Sequence, residues 1–280
     1  MRVYKSIELL VNEIDSIKRR RETIGLVPTM GYLHEGHLSL IRKARKDTDC
    51  VVVSIFVNPI QFGPGEDLKQ YPRDLNRDLR LCRASGADIV FFPTSKIMYS
   101  NGFSSYVNVE GPTDRLCGAS RPGHFKGVAT VVAKLFNIVN PDIAYFGQKD
   151  AQQAIVIKKM VEDLNMPVKI KVQPIVREKD GLAMSSRNAY LNPCQRRQAL
   201  SLYRSLKLAQ ELYKKGEKDP KKIIKGMRRV ILKEKGAKID YVSIVDTKKL
   251  KGLNRISEKA LVAVAVKIGK TRLIDNVILN

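Results

Sequence analysis

Only three histidines occur in the 280 residues, and two of them, His34 and His37, stand three apart in the run Thr23-Ile24-Gly25-Leu26-Val27-Pro28-Thr29-Met30-Gly31-Tyr32-Leu33-His34-Glu35-Gly36-His37. An apolar stretch at 24–27, punctuated by Pro28 and Gly31 and followed by Leu38, Ile41 and Arg45 at helical spacing, reads as strand, turn, helix. A helix starting near Glu35 directs free backbone N–H groups and the positive end of its dipole at whatever lies above the strand, which suits phosphate. Gly36 lets that phosphate come close. Histidines three apart share one face of the first turn, where both can donate to phosphate oxygens. A histidine at a helix start can equally be a plain cap. A zinc-protease site would need two histidines four apart with a glutamate between them, a spacing that His34-Glu35-Gly36-His37 lacks, so this pair is not read as a metal site.

Further polar groups recur where predicted strands end. Residues 50–57 form a continuous β-branched and aromatic run, the mark of a strand buried on both faces, and lead into Asn58-Pro59-Ile60-Gln61-Phe62-Gly63-Pro64-Gly65. The spacing predicts a helix over 74–84, a strand over 87–92, a helix over 128–139 and a strand over 143–146 that runs into Gly147-Gln148-Lys149-Asp150. A helix over 151–164, carrying Gln153, and a strand over 168–176 follow, and then Met184-Ser185-Ser186-Arg187. Strand followed by helix, repeated, implies a parallel sheet with right-handed crossovers, whose ligands bind at the carboxyl ends of the strands. The histidines, Gln61, Lys149 with Gln153, and the Met184 to Arg187 run are therefore expected on one rim. Residues 94–127 read as a long irregular region holding Arg121-Pro122-Gly123-His124-Phe125, and loops of this length are usually functional or mobile.

Beyond Asp180-Gly181 the pattern changes. Helices over 195–215 and 220–235 precede strands over 241–246, 260–268 and 271–279, which fits a small α+β domain. The expected organisation is a Rossmann-like α/β domain over 1–176 and an α+β domain over 177–280. There is no internal repeat and no long linker.

At 44% hydrophobic and 28% charged the chain can bury a sizeable core. Lys5, Glu8, Glu13 and Asp15 interrupt the N-terminal apolar pattern, so it holds no signal-peptide core, and no run reaches membrane-spanning length. Cys50, Cys82, Cys117 and Cys194 form no paired ligand motif and read as reduced thiols in a cytoplasmic protein. The net charge of +23 raises the question of a polyanion partner. From 201 to 280 there are 21 Lys and Arg against 8 Asp and Glu, so +13 of the total lies there. Clusters such as Lys221-Lys222, Arg228-Arg229 and Lys248-Lys249 fall on helix faces or turns without interleaved aromatics, which reads as solvated surface. Weak, salt-sensitive adhesion to polyanions is expected and specific nucleic-acid binding is not.

Pro28-Thr29-Met30-Gly31-Tyr32-Leu33-His34-Glu35-Gly36-His37, Asn58-Pro59-Ile60-Gln61-Phe62, Arg121-Pro122-Gly123-His124-Phe125, Phe146-Gly147-Gln148-Lys149-Asp150 with Gln152-Gln153, and Met184-Ser185-Ser186-Arg187-Asn188 together resemble the pantothenate synthetase (pantoate–β-alanine ligase) family. The resemblance continues in order to Arg272-Leu273-Ile274-Asp275-Asn276. The histidine element alone marks only the wider nucleotidyltransferase superfamily, whereas Gln61, Lys149 and the Ser-Ser-Arg run are far more specific. The family commonly has a small residue where this chain has Tyr32.

The resemblance implies a Rossmann-like domain binding ATP and pantoate, a C-terminal lid domain, a homodimer, and Mg2+ on the phosphates. It implies two half-reactions: pantoate and ATP give pantoyl adenylate and pyrophosphate, then β-alanine displaces AMP. It assigns Met30, Gly31, Tyr32, Leu33, His34, Glu35, Gly36 and His37 to ATP, together with Gly147, Gln148, Lys149, Asp150, Val176, Met184, Ser185, Ser186 and Arg187. Gln61 and Gln153 would hold pantoate, Gln61 would also meet β-alanine, and His37 would be the general acid or transition-state donor, aided by His34 and Lys149. Attack at phosphorus builds charge on oxygen, so donors and cations of these kinds suit the step without the resemblance. Asp74, Asp78 and Asp150 are the carboxylates considered for Mg2+. A nucleotidyltransferase acting on a phosphorylated acceptor would need cations where Gln61 and Gln153 stand, and a nucleic-acid binder would explain the charge alone.

Overall fold

The chain begins with β1 (Arg2–Tyr4) and α1 (Ile7–Arg19), a helix whose Ser6 accepts from the Leu9 N–H and whose Leu10, Ile14 and Ile17 are buried. The structure, a computed structural model, describes residues 1–280. After these come β2 (Ile24–Thr29), α2 (Glu35–Asp47), β3 (Cys50–Ile55), a 3-10 turn at Pro59–Gln61, α3 (Leu75–Ala84), β4 (Ile89–Phe91) and the single turn α4 (Ser95–Met98). A 3-10 turn at Pro112–Asp114 and the short α5 (Cys117–Ser120) lead to α6 (His124–Val139), β5 (Ile143–Gly147), a turn at Gln148–Asp150, α7 (Ala151–Asp163) and β6 (Lys169–Gln173). A turn at Ser186–Tyr190 precedes α8 (Pro193–Lys214), α9 (Pro220–Leu232), β7 (Ala237–Asp246), β8 (Ala260–Ile268) and β9 (Thr271–Leu279).

Contacts divide the chain into two units. The first comprises Met1–Glu110, Arg121–Gly147 and Val156–Pro174. Its sheet has the order β1-β4-β3-β2-β5-β6 with every pair parallel, the Rossmann-like arrangement the sequence implies. Every residue of β3 is buried, as its unbroken apolar run requires. The chain proceeds from β2 outward through β3 and β4 on one side, and through β5 and β6 on the other, so the order reverses between β2 and β5. These two strands pair only at Gly25 with Ile143 and Leu26 with Ala144. Beyond that, β2 stays with β3 to Thr29 and β5 stays with β6 to Gly147, so a crevice opens at their carboxyl ends.

The second unit comprises Gly111–Ser120, Gln148–Ile155 and Ile175–Asn280. Its antiparallel sheet has the order β7-β8-β9, and the central strand β8 is apolar almost throughout. Alternation explains why: Val262, Val264 and Val266 join the cluster made by Leu202, Leu206, Ile223, Met227 and Ile231 of α8 and α9. Leu261 and Ala263 face a second cluster with Ala151, Val245 and Leu250, against which Leu116 and Ile155 pack. That second cluster draws residues 111–120 and 148–155 into this unit.

Several boundaries differ from the sequence reading, three of them for reasons the structure makes plain. The sequence starts the helix at 128, after Gly127, but α6 begins at His124. Gly127 is there for space: a Cβ on it would lie 2.6 Å from the Ile60 carbonyl oxygen and 2.7 Å from the Gln61 backbone. β6 stops at Gln173, before Pro174, and β7 starts at Ala237, where a register irregularity between Ile239 and Tyr241 masks its alternation.

Candidate functional site

Thr29 closes β2 with its hydroxyl donating to the Ser54 carbonyl at 2.7 Å and accepting the Gly31 N–H at 3.2 Å. Gly31 (φ 79°) and Tyr32 (φ 49°) then take two consecutive left-handed conformations, the second uncommon for an L side chain. Asp78, buried on α3, sustains them: Oδ2 accepts the Tyr32 N–H at 2.7 Å and Oδ1 the Leu33 N–H at 2.8 Å. Burial pushes the Asp78 carboxyl up, outweighing the pull of these two donors and of Arg77. Arg77 lies over the Tyr32 ring, 5.3 Å from its centroid, and donates to the Leu33 carbonyl at 2.9 Å. The large residue at position 32 is therefore accommodated by stacking rather than by burial.

The turn delivers His34 as the N-cap of α2. Its Nδ1 accepts the Gly36 N–H at 3.2 Å, and the His37 Nδ1 accepts the His34 N–H at 3.3 Å, a reciprocal capping box made by two imidazoles. An Nδ1 that accepts carries no proton, so each ring holds its proton on Nε2. The ring centroids are 4.1 Å apart and the planes inclined by 34°. Capping and phosphate donation are thus compatible, since the cap uses Nδ1 and the ring proton sits on Nε2. Gly36 is needed locally, because a Cβ there would sit 2.9 Å from the His34 ring. Glu35, exposed in the first turn of α2, pairs with Arg42.

Gln61 lies in the turn after β3 and is buried. Its Oε1 accepts from Asn58 at 3.1 Å and its Nε2 donates to the Met30 Sδ at 3.0 Å, so Gln61 and the histidine turn meet. Asn58 is itself fixed by the Tyr99 hydroxyl, which donates to its Oδ1 at 2.8 Å, and by the Gly127 carbonyl at 3.1 Å. This orients the Gln61 amide and leaves it one N–H and one lone pair beyond those bonds. Arg121 and His124 bind the Gln61 backbone from α6 and the residues before it, and Arg121 forms a two-point ion pair with Glu66.

In the second unit, Asn276 holds the segment bearing Lys149. Its amide donates to the carbonyls of Gln148 and Lys149, both at 2.9 Å, and its Oδ1 accepts from the Gln148 side chain at 3.1 Å. The preceding residue, Asp275, is almost fully buried and takes Arg177 at 2.7 and 2.9 Å. Burial pushes its carboxyl up against the pull of that guanidinium. Next to Arg177, the Val176 carbonyl accepts the Met184 N–H at 3.0 Å, and Ser185 caps the following turn by accepting the Arg187 N–H at 3.3 Å. Ser186 is buried and Arg187 half-buried. Two adjacent residues of β9 thus tie the Gly147-Gln148-Lys149-Asp150 segment, from Gln148 onward, to the segment from Val176 to Arg187. The sequence shows Asp275 and Asn276 only as part of a motif, with no role attached.

Gln153 is half-buried on α7, while its neighbour Gln152 is spent on structure, accepting the Cys117 N–H at 2.9 Å and donating to the carbonyls of Pro112 and Arg115 at 2.8 and 2.7 Å. Of the carboxylates considered for Mg2+, Asp74 caps α3 and Asp78 is taken up by the turn, which leaves Asp150, 3.7 Å from the Lys149 ammonium. No group of three or more His, Cys, Asp and Glu could hold a metal ion. The four cysteines are free thiols, three of them buried; burial drives Cys50 and Cys82 up to about 12, which removes them as nucleophiles. No helix is long and apolar enough to cross a membrane.

Residues 2–278 match the family described as pantoate-beta-alanine ligase. The chain is similar to a pantothenate synthetase of Acetivibrio thermocellus, 60% identical over 280 residues and the whole of both chains. One from Moorella thermoacetica is 56% identical over 280 residues, 100% of this chain and 99% of its own. Among solved structures, a pantothenate synthetase from Thermus thermophilus matches with TM-score 0.95 and 46% identity over 99% of each chain. A pantoate-beta-alanine ligase from Francisella tularensis, complexed with beta-gamma ATP and beta-alanine, matches with TM-score 0.82 and 35% identity over 99% of this chain and 97% of its own.

Proposed function

The chain belongs to the pantoate-beta-alanine ligase family, and from that premise we propose how its residues divide the reaction that joins pantoate to β-alanine at the expense of ATP. The observation that carries the proposal is the capping box of α2, which commits each imidazole's Nδ1 to a backbone N–H and so places its proton on Nε2. Two imidazoles whose Nδ1 atoms are committed to backbone N–H groups are preorganised donors at a helix N-terminus, where phosphate oxygens gain charge during attack. His37 is the transition-state donor and His34 assists it. Lys149, its backbone fixed by Asn276, supplies the cation; Met30 to His37, Gly147 to Asp150, Val176 and Met184 to Arg187 surround ATP.

A pantoate carboxylate oxygen attacks the α-phosphorus, the bond to the β-phosphate oxygen breaks, and pyrophosphate leaves. The β-alanine amine then attacks the acyl carbon of the mixed anhydride, the acyl–oxygen bond breaks, and AMP leaves as the amine surrenders its proton. The intermediate is bonded to AMP, so no enzyme nucleophile is required. Gln61 and Gln153 hold pantoate through amides that both donate and accept, and Gln61 also meets β-alanine. Asp74 and Asp78 are engaged in structure, so of these carboxylates only Asp150 would be at hand for Mg2+, which would neutralise phosphate charge when bound with ATP. On this reading residues 1–176 form the ATP- and pantoate-binding domain and residues 177–280 a lid domain, although Gly111–Ser120 and Gln148–Ile155 pack in the unit of the latter. The protein is a cytoplasmic homodimer, a state light scattering would test.

Isotope exchange tests the chemistry. With pantoate, ATP and Mg2+ but no β-alanine, labelled pyrophosphate enters ATP. Exchange that needs β-alanine would refute the separate adenylation step.

A further inference from the structure

The Arg121-Pro122-Gly123-His124-Phe125 motif contributes no group to the two half-reactions. It meets Gln61 at a place where the turn is weakly self-supporting: the Gln61 N–H reaches the Asn58 carbonyl at 3.5 Å and the Phe62 N–H reaches that of Pro59 at 3.2 Å. Three residues of 3-10 turn held by such bonds do not fix a side chain. The better bond comes from outside, as the His124 Nδ1 lies 2.8 Å from the Gln61 carbonyl. On the far side of the ring, Nε2 lies 3.0 Å from Arg121 Nη1, which can only donate, so Nε2 accepts and the proton belongs on Nδ1. This is the opposite tautomer from that of His34 and His37.

Arg121 is fixed in turn by Glu66, with Nε at 2.7 Å from Oε1 and Nη2 at 2.5 Å from Oε2, and its Nη2 also lies 3.4 Å from the Gln61 carbonyl. Glu66 is on the same loop as Gln61. The motif therefore grips that loop at two points five residues apart, while the missing side chain of Gly127 lets α6 touch the Gln61 backbone directly.

We propose that Glu66, Arg121 and His124 are positioning residues for pantoate: the Nδ1–H tautomer of His124, set by Arg121 and anchored through Glu66, fixes the backbone of Gln61 and thereby the amide that receives the acid. The proposal rests on Gln61 binding pantoate. A displacement of the order of 1 Å in a substrate-holding group is enough to reduce turnover by about 10².

The test compares KM for pantoate and for ATP, kcat and melting temperature in the full-length enzyme and its variants. His124→Ala is expected to raise the pantoate KM about tenfold or more with the ATP KM within about twofold. His124→Asn, whose amide nitrogen falls near the Nδ1 position, restores the pantoate KM to within about threefold of wild type; His124→Gln, whose amide falls near Nε2, does not. Glu66→Gln raises the pantoate KM less than His124→Ala, and supplies the comparison if the alanine variant fails to fold. Equal increases for ATP and pantoate, or rescue by Gln as good as by Asn, would overturn the proposal. Gln61→Ala separates the two readings. If it leaves the pantoate KM unchanged, the assignment of Gln61 is wrong; if it raises that KM while His124→Ala does not, the positioning role alone is wrong.

Discussion

Asp78 and Tyr32 are 46 positions apart and share a 2.7 Å hydrogen bond in which the carboxylate accepts the N–H of a residue in left-handed conformation. The second carboxylate oxygen takes Leu33, so one buried side chain shapes the turn that sets His34. Removing it in Asp78→Ala leaves two inward N–H groups unpaired, a loss of about 2 to 4 kcal/mol that urea unfolding would register. Activity should fall with stability. Tyr32→Gly should be close to neutral, because relief of about 1 to 2 kcal/mol of left-handed strain is set against greater backbone entropy and loss of the Arg77 contact. A fully stable Asp78→Ala enzyme would show that the turn holds without its brace.

His37 and Lys149 are expected to act on the transition state more than on bound substrate. His37→Ala and Lys149→Ala should lower kcat by about 10² to 10³, with smaller changes in ATP Kd, as donors that tighten on developing charge do. His37→Ala also opens the capping box, so part of its effect belongs to helix stability, about 1 kcal/mol by analogy with other N-caps. His37→Asn, which can still offer a side-chain acceptor to the His34 N–H, separates the two. Were turnover regained with the cap, His37 would be a structural residue.

The strands around the crevice are legible in the sequence because burial on both faces leaves an unbroken apolar run, as in β3. The histidine turn and Gln61 are legible because they follow such runs. What supports them is not, since support comes from residues whose partners are distant in sequence. Asp78 looks like one of several acids near the start of a helix, and so like a candidate for Mg2+, yet both its oxygens are occupied by backbone. A faint signal exists: Asp78 and Cys82 are four apart and are the buried residues of α3, so an acid stands on an inward face. Asn276 gives no comparable signal, because a β-strand asparagine that caps two carbonyls reads like any polar strand residue. The start of α6 is misplaced by the sequence because Gly127 disfavours a helix by propensity, a preference overridden by the close approach it permits.

Glu66 gives a dependence on pH with a definite sign. Burial would raise its carboxyl, but the hydrogen bonds and charge of Arg121 outweigh that and hold it below its ordinary value of 4.5. A carboxyl lowered by folding adds stability that is present above its unfolded pKa and is lost as pH falls through the folded one. The stability difference between wild type and Glu66→Gln should therefore be constant at neutral pH and shrink only once the pH falls below 4.5. Denaturant titrations of both proteins across that range would check it. A difference that grew on acidification would mean that Arg121 does not hold the carboxylate ionised.

The proposed contact of Gln153 with pantoate can be tested through the hydroxyls of the acid. It is half-buried on α7, whereas Gln152 beside it is fully committed to backbone partners. A site that bonds a substrate hydroxyl leaves its own polar group unpaired when the hydroxyl is missing, and such sites discriminate by about 10⁴ in kcat/KM. Deoxy analogues of pantoate should accordingly be poor substrates. Gln153→Leu should cost on the order of 2 kcal/mol or more with pantoate and distinctly less with the analogue that lacks the bonded hydroxyl. Measuring kcat/KM for both enzymes with both acids closes the cycle between protein and substrate. A coupling near zero, with the two losses simply adding, would mean that Gln153 does not touch that hydroxyl, and pantoate would have to be placed against other residues.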